Sequence, residues 1–280
     1  KGNFPIGFLI WKTDNTSLRG TKQSITTIDT EVLDKNANPI GEKSFYNFPN
    51  ETFLSQWINR PKANKEQVIS LSNAVTPTKT TSGSTMWSDN AIAHFVCDSN
   101  DFQNATQYTL LLSSAQGIGH KGAVYVNEEN LWQVAIVYSV RQLVPHTWIN
   151  HNDQFLQPNK PLTEEFKSDC LIWMLFHGKN LTASANDLEW NDKKWSIVNH
   201  FIPFTETEVN APERFESDFM VQYLSVIARN EAISTEAQNV LDEGRKLWQA
   251  YFAETDVRTV RDELKLNRAD VGWYQIRKAL

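Results

Sequence analysis

Two histidines and a carboxylate lie close together in one polar stretch of the sequence. The stretch is His146-Thr147-Trp148-Ile149-Asn150-His151-Asn152-Asp153, and the groups of interest are His146, His151 and Asp153. Imidazole and carboxylate groups bind divalent metals or activate water. A metal-dependent nuclease of the HNH type is therefore one hypothesis, and its further ligand would have to come from Cys170, His177 or His200.

The spacing in this stretch favours a structural loop over a metal site. Histidines five residues apart do not share a helical face, and Pro145 and Pro158 interrupt the segment. The spacing also matches no common metal-ligand pattern. A polar structural loop is the favoured interpretation, and the nuclease remains the alternative.

A glycine motif of the form G-x-G-x-x-G occurs at Gly117-Ile118-Gly119-His120-Lys121-Gly122. In a dinucleotide-binding fold this motif opens a helix whose N-terminus holds the pyrophosphate. Here the strand-like run Ala123 to Val126 follows, and no acidic residue stands at the ribose-binding distance. The context therefore predicts a glycine turn between two strands, with His120 and Lys121 exposed at its tip.

The acidic sequence Asp187-Leu188-Glu189 holds two carboxylates, which a nuclease site built from carboxylates and a lysine would require. We expect it in a turn between Ala183 and Trp190, where it would serve as surface charge.

Positive charge concentrates in one part of the first half of the chain. The net charge is −6, yet residues 1–127 hold 11 basic and 10 acidic side chains. Within residues 60–83, Arg60, Lys62, Lys65 and Lys79 stand against Glu66 alone. A polyanion would therefore bind the first half of the chain. A solvated surface loop with some lysines is the competing interpretation.

Several uncharged side chains could complete a nucleic-acid surface. The polar run Thr76 to Thr85, which includes Thr80, is long for a compact domain and indicates a binding or mobile element. Trp87 and Trp148 fall in polar loops, where a flat ring can stack on a base or cover the core. Other tryptophans lie on apolar helix faces and are expected in the core: Trp57, Trp132, Trp173 and Trp248.

These side chains need a scaffold, and the sequence predicts an α+β fold. Residues 1–127 are rich in strand patterns, beginning with the apolar run Ile6 to Trp11 and a hairpin that turns at residues 34–41. Residues 128–280 are mostly helical. Helices are predicted over residues 51–58, 128–143, 164–177, 212–230, 234–252, 256–264 and 268–280. We accordingly predict a β-rich part, 1–127, and a helical domain, 128–280.

The remaining composition narrows the class of protein. Hydrophobic residues make up 40% of the chain, and no run approaches the roughly 20 apolar residues of a membrane span. The two cysteines, Cys97 and Cys170, lie in apolar surroundings and are predicted to be buried thiols in a reducing compartment. The expected location is the cytoplasm, with no membrane contact.

Several stretches of the chain are similar to one family. The run Phe4 to Thr13 resembles the strand near the end of the catalytic domain in bacterial N6-adenine DNA methyltransferases of restriction–modification systems, the Eco57I-like group. Other stretches resemble the C-terminal regions of such proteins: Val140-Arg141, Thr147 to Asn150, Asp153 to Phe155, Ile202 to Thr205, Asn267 to Asp270 and Gly272 to Arg277.

The resemblance implies a DNA-positioning role without catalysis by this chain. The family's N-P-P-aromatic tetrapeptide and glycine-rich S-adenosylmethionine loop do not occur here, and Asn210-Ala211-Pro212-Glu213 lacks the second proline and the ring. The resemblance implies that the cofactor belongs to the parent protein and the partner is double-stranded DNA. Phosphate contacts would come from the basic and polar residues singled out above. A purely structural, partner-binding module is the remaining alternative.

Overall fold

The structure is a computed structural model, and part of the chain is described in it. The described residues are 28–46, 48–64, 88–96, 101–102, 109–111, 124–147, 149–150, 153–180, 182, 184–190, 192–256 and 259. The predicted strand over residues 6–11, the predicted helix over 268–280 and most of the predicted helix over 256–264 lie outside them.

The described elements form an α+β fold, as predicted. The strands are β1 (Ile28–Leu33), β2 (Pro39–Phe45), β3 (Ala93–Val96), β4 (Thr109–Leu111), β5 (Val124–Val126), β6 (Ala185–Trp190) and β7 (Lys193–Ile197). The helices are α1 (Leu54–Trp57), preceded by a 3-10 turn at Asn50–Thr52, α2 (Leu131–Leu143), α3 (Glu164–Phe176), α4 (Glu206–Val209), α5 (Phe219–Arg229) and α6 (Thr235–Glu254).

The predicted hairpin is present as the antiparallel pair β1 and β2. Its turn is built by Asp34, whose Oδ1 accepts hydrogen bonds from the backbone N–H groups of Asn36 (2.7 Å) and Asn38 (2.9 Å). Ala37 takes a left-handed conformation there, with φ of 64°. Hydrogen bonds from Asn38 and Asn36 lower the pKa of the Asp34 carboxyl. The turn is thus fixed by contacts between neighbouring polar residues, and these residue types are the turn formers from which the hairpin was predicted.

A second sheet has three strands in the order β4-β3-β5, all antiparallel neighbours. Strand β5 follows the glycine motif, which confirms the strand predicted there. Phe95 of β3 and Val124 and Val126 of β5 are buried. This sheet therefore contributes side chains to the hydrophobic core.

Helix α2 begins later than predicted. The sequence placed its start at Glu128, capped by Asn127, but Asn127 and Asn130 instead form a reciprocal turn ahead of the helix. The Asn127 N–H donates to Asn130 Oδ1 (2.9 Å), and the Asn130 N–H donates to Asn127 Oδ1 (3.2 Å). Asn130 then occupies the cap position of Leu131–Leu143.

Helix α3 agrees with its predicted boundaries. Thr163 caps it by accepting a hydrogen bond from the Phe166 N–H at 3.1 Å. After its end, the Asn180 amide donates to the Met174 carbonyl oxygen (3.3 Å), and Asn180 Oδ1 accepts from the Thr182 hydroxyl (2.8 Å). Asn180 and Thr182 are fully buried. The chain leaves the helix through a tightly bonded turn.

The second half is mostly helical, as predicted, and it also contains a two-stranded hairpin. The segment Asp187-Leu188-Glu189 is a strand, part of β6, and not a turn: β6 pairs with β7 in a hairpin that turns near Asp192. The helix predicted from Pro212 begins at Phe219, because residues 210–217 form a loop in which the Phe215 N–H donates to Glu206 Oε1.

Helix α6 begins as predicted, after Ser234, whose hydroxyl accepts from the Ala237 N–H at 3.0 Å. It packs closely on α3 at Gly244. A Cβ atom at this glycine would lie 2.3 Å from Phe176 Cε1. The missing side chain is what permits this approach of the two helices.

One cluster of buried side chains joins both predicted parts of the chain. It contains Leu54, Phe95 and Val126 from the first part and residues of α2, α3 and α6 from the second. The four tryptophans expected in the core are there: Trp248 is fully buried, and Trp57, Trp132 and Trp173 pack against the cluster. Cys170 is also buried, as predicted.

Among the described residues, no helix is both long and apolar enough to cross a membrane.

Candidate nucleic-acid interface

Two of the predicted DNA-contacting residues lie on one short segment after α1. We call Ile58 to Asn64 the basic segment, because Arg60 and Lys62 are both exposed on it. Ile58 at its start is buried in the core. The Arg60 guanidinium donates to the Ser55 carbonyl oxygen at 2.8 Å. The segment therefore has one end fixed in the core and its two cations at the surface.

Helix α2 holds the start of the basic segment by side-chain hydrogen bonds. The Asn59 N–H donates to Gln133 Oε1 (2.8 Å), and the Asn59 carbonyl oxygen accepts from Asn130 Nδ2 (2.8 Å). Gln133 Nε2 also donates to the Trp57 carbonyl oxygen at 3.1 Å. The backbone N–H and carbonyl oxygen of Asn59 are thus both bonded to amide side chains at the start of α2.

A further contact holds the end of the basic segment. Asn64 Nδ2 donates to Asp89 Oδ1 at 2.7 Å. Arg60 and Lys62 thus lie between Asn59, which is held through its backbone, and Asn64, which is held through its side chain. When the backbone is already held in place, phosphate binding costs less conformational entropy.

An aromatic pair and a lysine lie beside this segment. The Trp57 and Trp132 rings meet edge to face, with centroids 5.3 Å apart, and Lys167 Nζ is 4.6 Å from the Trp132 ring centroid. Lys167 also pairs with Glu164 at 2.6 Å. This neutralising partner makes Lys167 a weak candidate for a phosphate ligand.

The other predicted contact residues lie outside the described residues. They are Lys65, Lys79, Thr80, Trp87, His120, Lys121 and Trp148. Their places relative to the basic segment stay predictions. Asn130 and Gln133 were not among the predicted residues, although amide side chains on an otherwise apolar helix are a usable sign of a structural contact.

Asp153, the carboxylate of the metal hypothesis, already forms an ion pair. Asp153 Oδ1 forms a salt bridge with Lys43 Nζ of β2 at 2.7 Å, and Lys43 also donates to the Ile149 carbonyl oxygen. His146 is exposed, and His151 lies outside the described residues. A metal ion at Asp153 would have to displace the lysine ammonium.

The first residues of this stretch form a turn closed by their own side chains. Asn150 Oδ1 accepts hydrogen bonds from the Thr147 N–H (2.6 Å) and the Thr147 hydroxyl (3.2 Å). Side chain to backbone bonds of this kind are typical of a structural loop.

The side chains considered as a further metal ligand are Cys170, His177 and His200. Each is buried or hydrogen-bonded to another side chain. Burial raises the pKa of the Cys170 thiol to about 11 and lowers the pKa of the His177 and His200 imidazoles. His177 Nδ1 is 2.8 Å from Tyr138 Oη, and His200 Nδ1 is 2.8 Å from Ser217 Oγ. In the described part of the chain, no three His, Cys, Asp or Glu side chains are grouped to hold a metal.

Comparison with known proteins gives no match to a family model, a curated protein or a solved structure.

Proposed function

We propose that this chain is the C-terminal, DNA-positioning part of a DNA adenine-N6 methyltransferase of a restriction–modification system. The observation that carries the DNA contact is the basic segment, on which Arg60 and Lys62 are exposed. Gln133 and Asn130 bond the Asn59 backbone at its start, and Asp89 bonds the Asn64 side chain at its end. The methyltransferase assignment is supported by the sequence resemblance. Methyl transfer and S-adenosylmethionine binding would belong to the rest of the parent protein.

The proposed role follows from how such enzymes handle their substrate. An enzyme that modifies a base must take it out of the duplex, and the surrounding duplex must be held while this occurs. Lysine and arginine contacts to phosphates fix position and orientation without reading sequence. The basic segment fits this positioning role.

The full chain and the double variant Arg60→Ala/Lys62→Ala test the DNA contact. Each lost phosphate contact lowers the slope of log K against log salt by about 0.9. We expect the double variant to lose about two from that slope and at least about tenfold in affinity at low salt. Fluorescence anisotropy with labelled duplex DNA at several salt concentrations measures both quantities.

The matched control is Lys193→Ala/Lys194→Ala. It removes the same charge from two exposed lysines of β7 and should leave the salt slope unchanged. Equal losses in both double variants would show nonspecific attraction and contradict a role for the basic segment. Absence of salt-dependent binding by the unaltered chain would contradict the DNA-positioning role itself.

The methyltransferase assignment has a separate test in the gene. A glycine-rich cofactor loop followed by an N-P-P-aromatic motif, encoded ahead of Lys1, would support the assignment. A preceding region without both motifs would contradict it, whatever the outcome of the DNA measurement.

A further inference from the structure

Large apolar side chains are exposed on the β1–β2 hairpin and on the residues just after it. Phe45, Tyr46 and Phe48 are 43%, 53% and 43% exposed, and Leu33 and Ile40 at the turn end of the hairpin are exposed as well. The Tyr46 and Phe48 rings contact each other, with centroids 5.9 Å apart. Aromatic side chains grouped at a surface are typical of protein interaction sites.

Among the described residues, no further strand lies beside the outer backbone edges of the hairpin. Within the described residues, β1 and β2 pair with each other and with no third strand. Each strand then has an edge of backbone N–H and C=O groups that could accept another strand. An extended segment that adds to such an edge gains main-chain hydrogen bonds, and its side chains supply the specificity.

The strand register places acidic side chains on one face of the hairpin. Glu31 lies directly opposite Glu42, and Asp29 lies opposite Ser44 on the same face. These four side chains are exposed. Two carboxylates opposite each other repel within the hairpin, and no ion pair to either one is found among the described residues. A lysine or arginine from a partner would relieve that repulsion.

The opposite face of the hairpin turns toward the rest of the chain. Thr30, Val32 and Lys43 are half-buried, and Lys43 is held by Asp153 and by the Ile149 carbonyl oxygen. The acidic face is thus presented outward from an attached hairpin. Phe45 shares the face of Lys43, whose Nζ is 5.3 Å from the Phe45 ring centroid, and its side chain is still 43% exposed.

We propose that the β1–β2 hairpin binds an extended segment of a partner protein in which basic and apolar residues alternate. A second copy of this chain fits less well, because it would bring a second pair of Glu31 and Glu42 carboxylates to the same edge. DNA fits less well for the same electrostatic reason.

Synthetic ten-residue peptides test this proposal on the full chain. One alternates lysine and valine, and its counterpart alternates glutamate and valine. We expect fluorescence anisotropy to show at least about tenfold tighter binding of the lysine peptide. Hydrogen exchange should show new protection of amides in residues 28–45 when that peptide is bound.

Two variants and a control make the test specific to the hairpin. Glu31→Lys/Glu42→Lys should reverse the preference between the peptides, and Phe45→Ser/Tyr46→Ser should weaken lysine-peptide binding about tenfold. Glu128→Lys/Glu129→Lys changes two exposed acids outside the hairpin and should leave the binding unchanged.

Three results would overturn the proposal. They are equal or absent binding of both peptides, equal effects of the two charge-reversal variants, and a dimer of the chain alone that Phe45→Ser/Tyr46→Ser dissociates in sedimentation measurements. The last result would make a second copy the occupant.

Discussion

His177 and His200 are held as neutral imidazoles by their surroundings. Burial lowers the pKa of both below the ordinary value of 6.5, and the nearby Lys179 adds to the effect at His177. Neutral Nδ1 of His177 can accept hydrogen bonds from the Tyr138 hydroxyl (2.8 Å) and the Lys179 N–H (3.3 Å). A proton on that nitrogen would remove the acceptor.

These two histidines make stability fall in mild acid. Because their pKa values are lower in the folded state, the unfolded chain binds more protons below about pH 6.5. The stability they contribute is complete above that pH and is lost as pH falls toward the folded pKa values. Urea unfolding at pH 7.5 and pH 5 should show a lower midpoint at pH 5.

Substitutions assign this pH dependence to residues. His177→Gln should reduce the decline between pH 7.5 and pH 5, although it also lowers stability at pH 7.5. His146→Gln alters an exposed imidazole and should leave the decline unchanged. A decline unaffected by His177→Gln and by His200→Gln would place its cause in other groups.

At the scale of elements, the contact of α3 with α6 depends on Gly244. Alanine is usually better than glycine inside a helix by about 1 kcal/mol. Here its Cβ would lie 2.3 Å from the Phe176 ring, and such overpacking costs about 1–3 kcal/mol. We expect Gly244→Ala to be destabilising by chemical denaturation.

Two further variants check the reason for that effect. Gly41→Ala places a Cβ where no atom lies within 4 Å, so it should change stability little. Phe176→Leu combined with Gly244→Ala should recover part of the loss, because the smaller side chain gives room. A Gly244→Ala protein as stable as the unaltered chain would contradict the close packing.

Short sequence patterns correctly predicted helix starts that are determined by residues close in sequence. Thr163 and Ser234 cap their helices as expected, since each cap needs only an N–H three residues later. The predicted start of α5 was wrong because the residues before Phe219 form a loop, which a hydrogen bond from the Phe215 N–H to the Glu206 carboxylate stabilises. The strand at residues 187–189 was missed because its partner strand, not its own composition, makes it a strand.

At the scale of the whole molecule, Asn130 joins parts distant in sequence. Its Nδ2 donates to the Asn59 and Tyr125 carbonyl oxygens, both at 2.8 Å, while its Oδ1 accepts from the Asn127 N–H. Arg60 and Lys62 could be singled out by residue type. Their anchoring could not, because Asn130 is 71 residues from Asn59 and no local pattern records the pairing.

Removing this junction should affect both stability and DNA binding. Asn130 is fully buried, so Asn130→Ala removes the partner of the buried Asn127 N–H, at a cost of about 1–3 kcal/mol, and of the part-buried Asn59 and Tyr125 carbonyl oxygens. Chemical denaturation measures this loss. The basic segment would also lose an anchor, and the affinity for duplex DNA should fall under conditions where the variant remains folded.

Asn239→Ala is the control, because Asn239 is exposed on α6. It should alter neither quantity. Asn130→Asp keeps the acceptor for the Asn127 N–H but loses the two donated bonds, so it should resemble Asn130→Ala. Normal DNA affinity in a folded Asn130→Ala protein would separate the junction from the basic segment.

The buried turn after α3 has a consequence for production of the protein. Asn180-Leu181-Thr182 is a sequence that oligosaccharyltransferase accepts in the secretory pathway, but Asn180 and Thr182 are fully buried and bonded to each other. A sugar chain could be attached only before this turn forms. In a secretory expression host, glycan occupancy at Asn180 would therefore report the fraction of chains that failed to complete folding there.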